Sequence, residues 1–551
     1  MFKLSENANL NYVATICKIT DVFPIENSDN LVRTVVNGFD IVVDKNTNVG
    51  DIVIYFPTES AICKEFLSIN NLYDSFELNS NYAEVVIAID EAAHIADETE
   101  YKERMKEIRR MAGFFNKHGR VRAINLRGCP SLGFLAKPEQ FVNLFPKADF
   151  DWENNVGVSF DTIEDTLIVK KYVPRIVERQ HGAGKSNAGK NRRAVQRFDR
   201  LIEGQFEFHY DTSMLNVNMW RFNPDSMVSI SKKIHGTSGI FCNILVNKKS
   251  DLSKSFCKKR IKNALNLRYI SLSNAQKKLL TQCYVKTKTR PTVTYGNVYS
   301  SRGVIKNRYI NKDVSAGFYG TDVWGFINNI ISPFLSNGMT VYGEIMGYVP
   351  GTNKFIQKGH DYGCAVGECK FMPYRITMTD ELGNKTELDI DKVNEWTKFI
   401  MDNNPDISKY LMPMVVYHFG RFGDLYPEVD PSDHWNENVL ALMKLDKRFD
   451  MEEDEPLCTL YNEEIERAET NLIALKKAKA SKKVIKDAEK ALAELKKKKA
   501  PAEGIVIRFI GDAEAKAFKL KTNRHYGKES EALDSGEVDI ETMESEYEIP
   551  T

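Results

Sequence analysis

The sequence predicts an α+β protein of several domains: a small N-terminal β-barrel, then a larger strand-rich domain interrupted by a helical hairpin. Three observations carry this. Short β-branched runs broken by turn residues occupy residues 1–62. Strand-like clusters that mix glycine with charged residues recur between residues 228 and 521. The stretch 463–499 is rich in lysine and glutamate and has helical apolar spacing.

A chain of 551 residues exceeds what one core ordinarily organises. With 42% hydrophobic and 28% charged residues, its composition is that of a globular protein. No apolar run approaches the ~18 residues of a membrane span, so no membrane association is expected. The segment from Met1 to Leu10 lacks the basic-then-apolar pattern of a signal peptide. Nine scattered cysteines, odd in number and without a framework, read as reduced thiols of a cytoplasmic protein.

Lys plus Arg and Asp plus Glu both total 76, but the balance is uneven along the chain. Residues 529–551 hold nine acids and neither Lys nor Arg, leaving 76 basic against 67 acidic residues in 1–528, a net charge of about +9. The body is therefore mildly basic, and 529–551 reads as a disordered acidic tail.

In the first domain, residues 1–170, the run 12–19 is β-branched. Residues 31–36 and 39–43 flank Asn37-Gly38, the strongest short hairpin signal. Residues 98–115 form a charged helical run. Residues 119–128 interleave arginines with apolar positions, as a strand of an oligonucleotide-binding (OB-type) barrel would; a half-buried strand with solvated arginines fits equally.

Residues 171–200 are basic and polar, and read as a flexible linker. Gly184-Lys185-Ser186 lies there, but Arg179 occupies the place of the first glycine of a phosphate-binding loop. The second domain, 201–528, carries insertions at 247–290 and 463–499. In the latter, Ile465, Ala468, Leu472 and Leu475 share one helical register, and Ile485, Ala488, Leu492 and Leu495 another. Ser481 can cap the second half, which predicts an antiparallel hairpin. Such a hairpin is either a solvated arm or a basic probe against a duplex backbone.

Chemistry concentrates in five clusters. Val228 and Ile230 alternate with Ser229 and Ser231 in a strand that ends in Lys233-Ile234-His235-Gly236. A lysine fixed at a strand end, with a glycine admitting close approach of a ligand, suits a covalent nucleophile. Arg302 follows a β run and suits a phosphate clamp. Glu344 lies between Gly343 and Gly347, where a carboxylate can accept a ribose hydroxyl. Glu503 heads the apolar run 504–507. Lys519 and Lys521 share one face of an extended chain. His360, Cys364 and Cys369 are close in sequence, but no second pair stands at zinc-finger spacing, so they read as core residues.

In this order, KIHG, SRG, YGEIMG, EGIVIR and KLK resemble the nucleotidyltransferase motifs of ATP-dependent RNA ligases. The likeness is nearest to the double-strand, nick-sealing (type 2) group, in the branch with an N-terminal OB module. Residues 14–60 and 119–135 are similar to that module. The resemblance implies an α+β fold in which an OB-like β-barrel precedes a nucleotidyltransferase (adenylation) domain built on antiparallel sheets, with a helical-hairpin insertion.

It further implies that Lys233 attacks the α-phosphate of ATP to form lysyl-AMP. AMP then passes to a 5′-phosphate, and an RNA 3′-hydroxyl displaces it. Lys519, Lys521 and Arg302 neutralise phosphate charge, Glu344 contacts ribose, and Tyr374, within 371–376, stacks on adenine. His235 and Gly236 shape the turn at the nucleophile, and Glu503 ligates Mg²⁺ or Mn²⁺. The implied partner is RNA, a nicked duplex with an RNA 3′-hydroxyl strand, and the implied state a monomer active in RNA repair.

DNA ligases and guanylyltransferases use the same lysine but usually carry Asp where His235 stands. A catalytically inactive nucleic-acid-binding protein would not need Lys233, Glu344, Glu503, Lys519 and Lys521 together. The chain departs from the family pattern at Lys232, where an acid is usual, and at Arg375, where an aspartate commonly follows the stacking aromatic.

Overall fold

The computed structural model describes residues 1–6, 8–174, 201–247, 293–306, 319–431, 434–511 and 517–536. The linker beyond 174 with its Gly184-Lys185-Ser186, the first insertion beyond 247 and the acidic stretch beyond 536 lie outside the described residues.

The N-terminal part holds a four-stranded antiparallel sheet in the order Phe134–Ala136, Ile52–Phe56, Ala14–Lys18, Ser159–Phe160. Beside it lies a three-stranded sheet of Phe23–Pro24, Leu31–Val36 and Phe39–Asp44. The Asn37-Gly38 hairpin forms as expected, with φ of 50° and 72°; both central residues of such a tight turn need positive φ. Phe56, Phe66, Phe141 and Phe160 fill one core.

Two expectations for this part change. Helix Glu98–Arg109 stops short of 115, and a second helix, Tyr82–Ala93, packs on it through Val85, Ala88 and Ala92 against Ile108. The strand expected over 119–128 shortens to Ala123–Leu126, because Arg127 and Gly128 take positive φ and turn the chain into a hairpin with Cys129–Leu132. Arg120 is 2% exposed, so it is neither solvated nor presented to a ligand. It donates to Glu59 at 3.0 Å and to the Ser530 carbonyl at 3.1 Å, and it pairs with Asp534.

The second part is built on two five-stranded sheets. One runs Ser213–Met214, Phe518–Lys521, Gly504–Phe509, Met227–Lys233, Val416–Arg421, antiparallel except for its first pair. The other runs Val293–Ser300, Thr237–Asn247, Met339–Gly347, Cys369–Thr379, Lys385–Glu387 and is antiparallel throughout. Ile234-His235-Gly236 is the crossing from the first sheet to the second. The nucleophile candidate therefore stands where the two sheets meet.

Helices Asn462–Lys477 and Lys482–Lys498 form the anticipated hairpin. Ser481 caps the second helix by accepting from the Val484 amide, and Lys476–Glu489 (2.8 Å) and Lys496–Glu469 (2.7 Å) tie the two helices together. A final helix, Asn523–Asp534, follows the Phe518–Lys521 strand. It corrects the expected start of the acidic tail: residues 529–534 are helical. Glu529 and Asp534 pair with Lys521 and Arg120, so these acids neutralise cations inside the fold rather than stand in solvent. Tyr526 of this helix packs in the N-terminal core with Phe39, Ile41 and Tyr55. Among the described residues no helix is long and apolar enough to cross a membrane.

Candidate active site

Lys233 is the last residue of its strand and pairs with Gly504 across the ladder, which sets Glu503 beside it. Its Nζ donates to Glu503 Oε1 at 2.7 Å. Two glycines allow this approach. A Cβ on Gly504 would stand 2.0 Å from the Leu520 carbonyl oxygen, at a φ of 135° that other residues rarely adopt. A Cβ on Gly236 would stand 2.4 Å from the Ile345 oxygen and 2.8 Å from Glu344 Cγ. The glycine of K-x-x-G thus brings the second sheet, with Glu344, up against the turn.

Lys519 and Lys521 are half-buried and alternate with the buried Phe518 and Leu520, as the geometry of a strand requires. Lys521 donates to Glu529 at 2.7 and 2.9 Å and lies 3.9 Å from Glu503. Burial opposes its charge, but Glu529 and Glu503 outweigh burial and hold the ammonium well above its ordinary pKa. Lys519 is the reverse. Burial, reinforced by Lys521, Lys233 and Arg302, pushes its ammonium well below the ordinary value. Glu503 is 3% exposed, and burial alone would raise its carboxyl. Lys233, with His525, His235 and Lys521, holds it well below the usual carboxylate range instead.

Lys232 points the other way. Its Nζ lies 2.6 Å from Asp450, 3.2 Å from Glu455 and 3.3 Å from the Tyr417 hydroxyl. The acid expected at this position is replaced by a buried cation that serves the opposite face of the strand.

Glu344 faces Ser238 across the second sheet. Burial, with the nearby Glu344 charge, raises the Tyr374 phenol well above its ordinary value. The Tyr374 ring lies 5.4 Å from His209, with the Arg508 guanidinium 5.8 Å from its centroid. A ladder irregularity beside Gly343 accompanies the divergence of Tyr374 and Arg375. Arg375 donates to Glu387 at 2.7 Å and lies over Tyr342, so it does not take the place of the usual aspartate. Arg302 pairs with Asp211, and its charge reaches Lys519, His209 and Tyr374.

All nine residues singled out from sequence therefore lie in one region. Lys233, His235, Glu503 and Lys521 cluster directly, Lys519 and Arg302 supply charge around them, and Glu344, Tyr374 and Gly236 form the second-sheet side.

Several participants carried no sequence signal. His525 lies 3.6 Å from Glu503 Oε1 and 3.4 Å from Glu529 Oε1. The His235 ring is 4.9 Å from both His360 and His525. Burial depresses the His235 imidazole, and His525 and His360 add to this against Glu503. His525 and Glu529 follow the lysine pair on the helix, a placement that only the strand-to-helix junction reveals. His360 turns to this cluster rather than to Cys364, whose sulfur packs near Gly347, or to the buried Cys369. Glu503 fits its expected metal role: its Oε2 is buried without a hydrogen-bond partner, and with His235 and His525 it offers donors all within 4.8 Å of one another.

No protein-family model and no curated protein matches the chain. Among solved structures it is similar to Naegleria gruberi RNA ligase. A lysine-to-alanine variant with ATP and Mn superposes with a TM-score of 0.44 at 14% identity, over 94% of this chain and 98% of that one. The same ligase with pyrophosphate, and a glutamate-to-alanine variant with AMP and Mn, each give 0.43 at 14% identity over the same shares. The functional reading of this chain rests on its own residues.

Proposed function

We propose that the chain is an ATP-dependent RNA ligase that joins 3′-hydroxyl and 5′-phosphate RNA ends, at nicks in duplexes, through lysyl-AMP and an AMP-capped 5′-phosphate. One observation carries the reading: a strand-end lysine at the junction of two sheets, against a buried carboxylate and ringed by Lys519, Lys521 and Arg302. That is the set a phosphoryl-type transfer needs, since such transfer is mostly positioning and charge stabilisation.

The Lys233 amine forms a bond to the α-phosphorus of ATP as the bond to pyrophosphate breaks. It must first exchange its ion pair with Glu503 and act as the free amine. Lys521, held charged by Glu529, serves as a permanent phosphate cation. Lys519, whose charge is suppressed by its neighbours, recovers it when an anion binds. Tyr374 offers a flat face for adenine, and Glu344 a carboxylate for the ribose hydroxyls. A divalent ion held at Glu503 supplies further neutralisation of the triphosphate. His235 in place of Asp favours RNA over DNA joining and over guanylyl transfer, and residues 1–170 are read as the OB-like module that grips the duplex.

The test is incubation with ATP or GTP labelled at the α-phosphate, with Mg²⁺ or Mn²⁺. ATP should label the wild-type chain covalently and leave Lys233→Ala unlabelled. Labelling by GTP alone, or labelled Lys233→Ala, would sink the reading. Equal sealing of nicks bearing RNA or DNA 3′-hydroxyl strands would remove the RNA assignment.

A further inference from the structure

Four buried polar atoms without a hydrogen-bond partner belong to three residues grouped around His235 and Lys233: Glu503 Oε2, His525 Nδ1 and Nε2, and His360 Nε2. Buried polar groups are ordinarily satisfied, so a concentration of orphans at one place marks where a bound ion or ordered waters complete the bonding. His525 is 2% and Glu503 3% exposed. His525 Nε2 lies near both Glu503 and Glu529 but meets neither with hydrogen-bond geometry.

We propose that His235, Glu503 and His525 form a binding site for a divalent first-row transition-metal ion, which Mg²⁺ fills poorly. One ligand atom from each residue, two imidazole nitrogens and one carboxylate oxygen, lies within 4.8 Å of the others. His235 Nδ1 is 4.0 Å from Glu503 Oε2, and His525 Nε2 is 3.6 Å from Glu503 Oε1. Donors bonded at about 2.1 Å to one ion stand roughly 3.0–3.4 Å apart, so small side-chain rotations close the site. Mg²⁺ takes oxygen ligands and keeps its waters, whereas imidazole nitrogens select later first-row ions.

Backbone contacts fix where the donors start. Thr522 accepts from the His525 amide at 3.1 Å and donates to the Ala502 carbonyl at 2.8 Å, which locks the start of the helix to the approach to Glu503. The Tyr362 hydroxyl accepts from the His235 amide at 2.9 Å, and the His360 ring backs that of His235. The three donors come from a turn, a strand approach and the first turn of a helix, far apart in sequence. The site stands on this donor set and not on the ligase reading.

The experiment uses the full chain without nucleotide and Co²⁺ as the probe. Equilibrium dialysis should show one Co²⁺ retained per chain, with visible d–d absorption and paramagnetically shifted imidazole N–H signals in the proton NMR spectrum. A hundredfold excess of Mg²⁺ should leave it bound. His235→Gln and His525→Gln should each weaken Co²⁺ binding at least ~10-fold. The proposal is overturned by failure of the wild type to retain Co²⁺, by Co²⁺ bound without shifted imidazole signals, by displacement with equimolar Mg²⁺, or by a folded His525→Gln that binds as wild type. Because ATP is absent, none of these results depends on whether Lys233 becomes adenylated.

Discussion

Lys232 and Lys233 are adjacent lysines whose surroundings assign them opposite jobs, and replacing Lys232 by Met separates these. Lys232 is 3% exposed, and its partner Glu455 has a fully buried side chain. Burial lowers the Lys232 ammonium, but Glu455, Asp450 and Tyr417 outweigh it and hold its pKa above the ordinary value. Glu455 is already pushed up by burial despite Lys232, so without that lysine its carboxylate keeps only the Leu457 amide, 3.1 Å away, as compensation. Breaking a buried pair in this way costs about 3–5 kcal/mol. Urea unfolding at pH 8 should show a loss of that order for Lys232→Met. The loss should shrink towards pH 5, because protonating Glu455 in the folded state removes the stranded charge. The double variant Lys232→Met/Glu455→Gln should recover part of the stability. Folded Lys232→Met should still take a covalent label from ATP at Lys233. A loss below about 1 kcal/mol at pH 8, or a well-folded variant that no longer labels, would refute this division of roles.

Arg120→Ala leaves Glu59 with only the Ser530 hydroxyl and Asp534 with only Arg122 at 3.8 Å, and should loosen helix Asn523–Asp534; limited proteolysis should cut near it at least ~10-fold faster than in wild type. Glu529→Gln removes the main anion on Lys521 and should lower that ammonium's pKa, measured by NMR of the labelled lysine; an unchanged value would reject the pairing. His209 is held neutral by burial and by Arg302, Arg508, Arg375 and Lys233. Its folded pKa is depressed, so the unfolded chain binds more protons as pH drops below 6.5 and stability falls; His209→Gln should flatten that slope of unfolding free energy between pH 7 and 5. Gly236→Ala places a methyl group against the Ile345 oxygen and Glu344, and should depress covalent labelling by ~10-fold or more while the rest of the fold persists, as read by circular dichroism.

Local order was legible where a local rule governs it. Asn37-Gly38 marks a turn that few dipeptides adopt, Ser481 is a helix cap, and the alternation of Lys519 and Lys521 with Phe518 and Leu520 fixes their shared face. The nine site residues could be gathered because their short motifs follow one another in a fixed order, seven of them at a strand end or at or beside a glycine, with Lys519 and Tyr374 inside strands. His525, Glu529, His360 and Asp211 escaped because their roles come from packing between distant segments, which no spacing records. Arg120 differs from expectation for the same reason: its alternation with apolar neighbours is that of a half-buried strand with its arginines outward, but Ser530 and Asp534 reach it from far downstream. Lys232 looked like a flaw in a motif until the opposite face of its strand supplied two carboxylates.

The Met227–Lys233 strand is central in its sheet, and both its neighbours, Gly504–Phe509 and Val416–Arg421, come from far downstream. During synthesis the ribosome therefore releases this apolar strand long before anything can pair with it. Val228 and Ile230, buried in the finished molecule, wait in water meanwhile. A central strand completed so late closes long loops at a high entropic cost and leaves unpaired edges open in the interim. The arrangement that brings Lys233 to the junction of two sheets thus makes its strand a late-maturing and aggregation-exposed part of the nascent chain, and shielding by chaperones would matter most between synthesis of that strand and of residues 504–509.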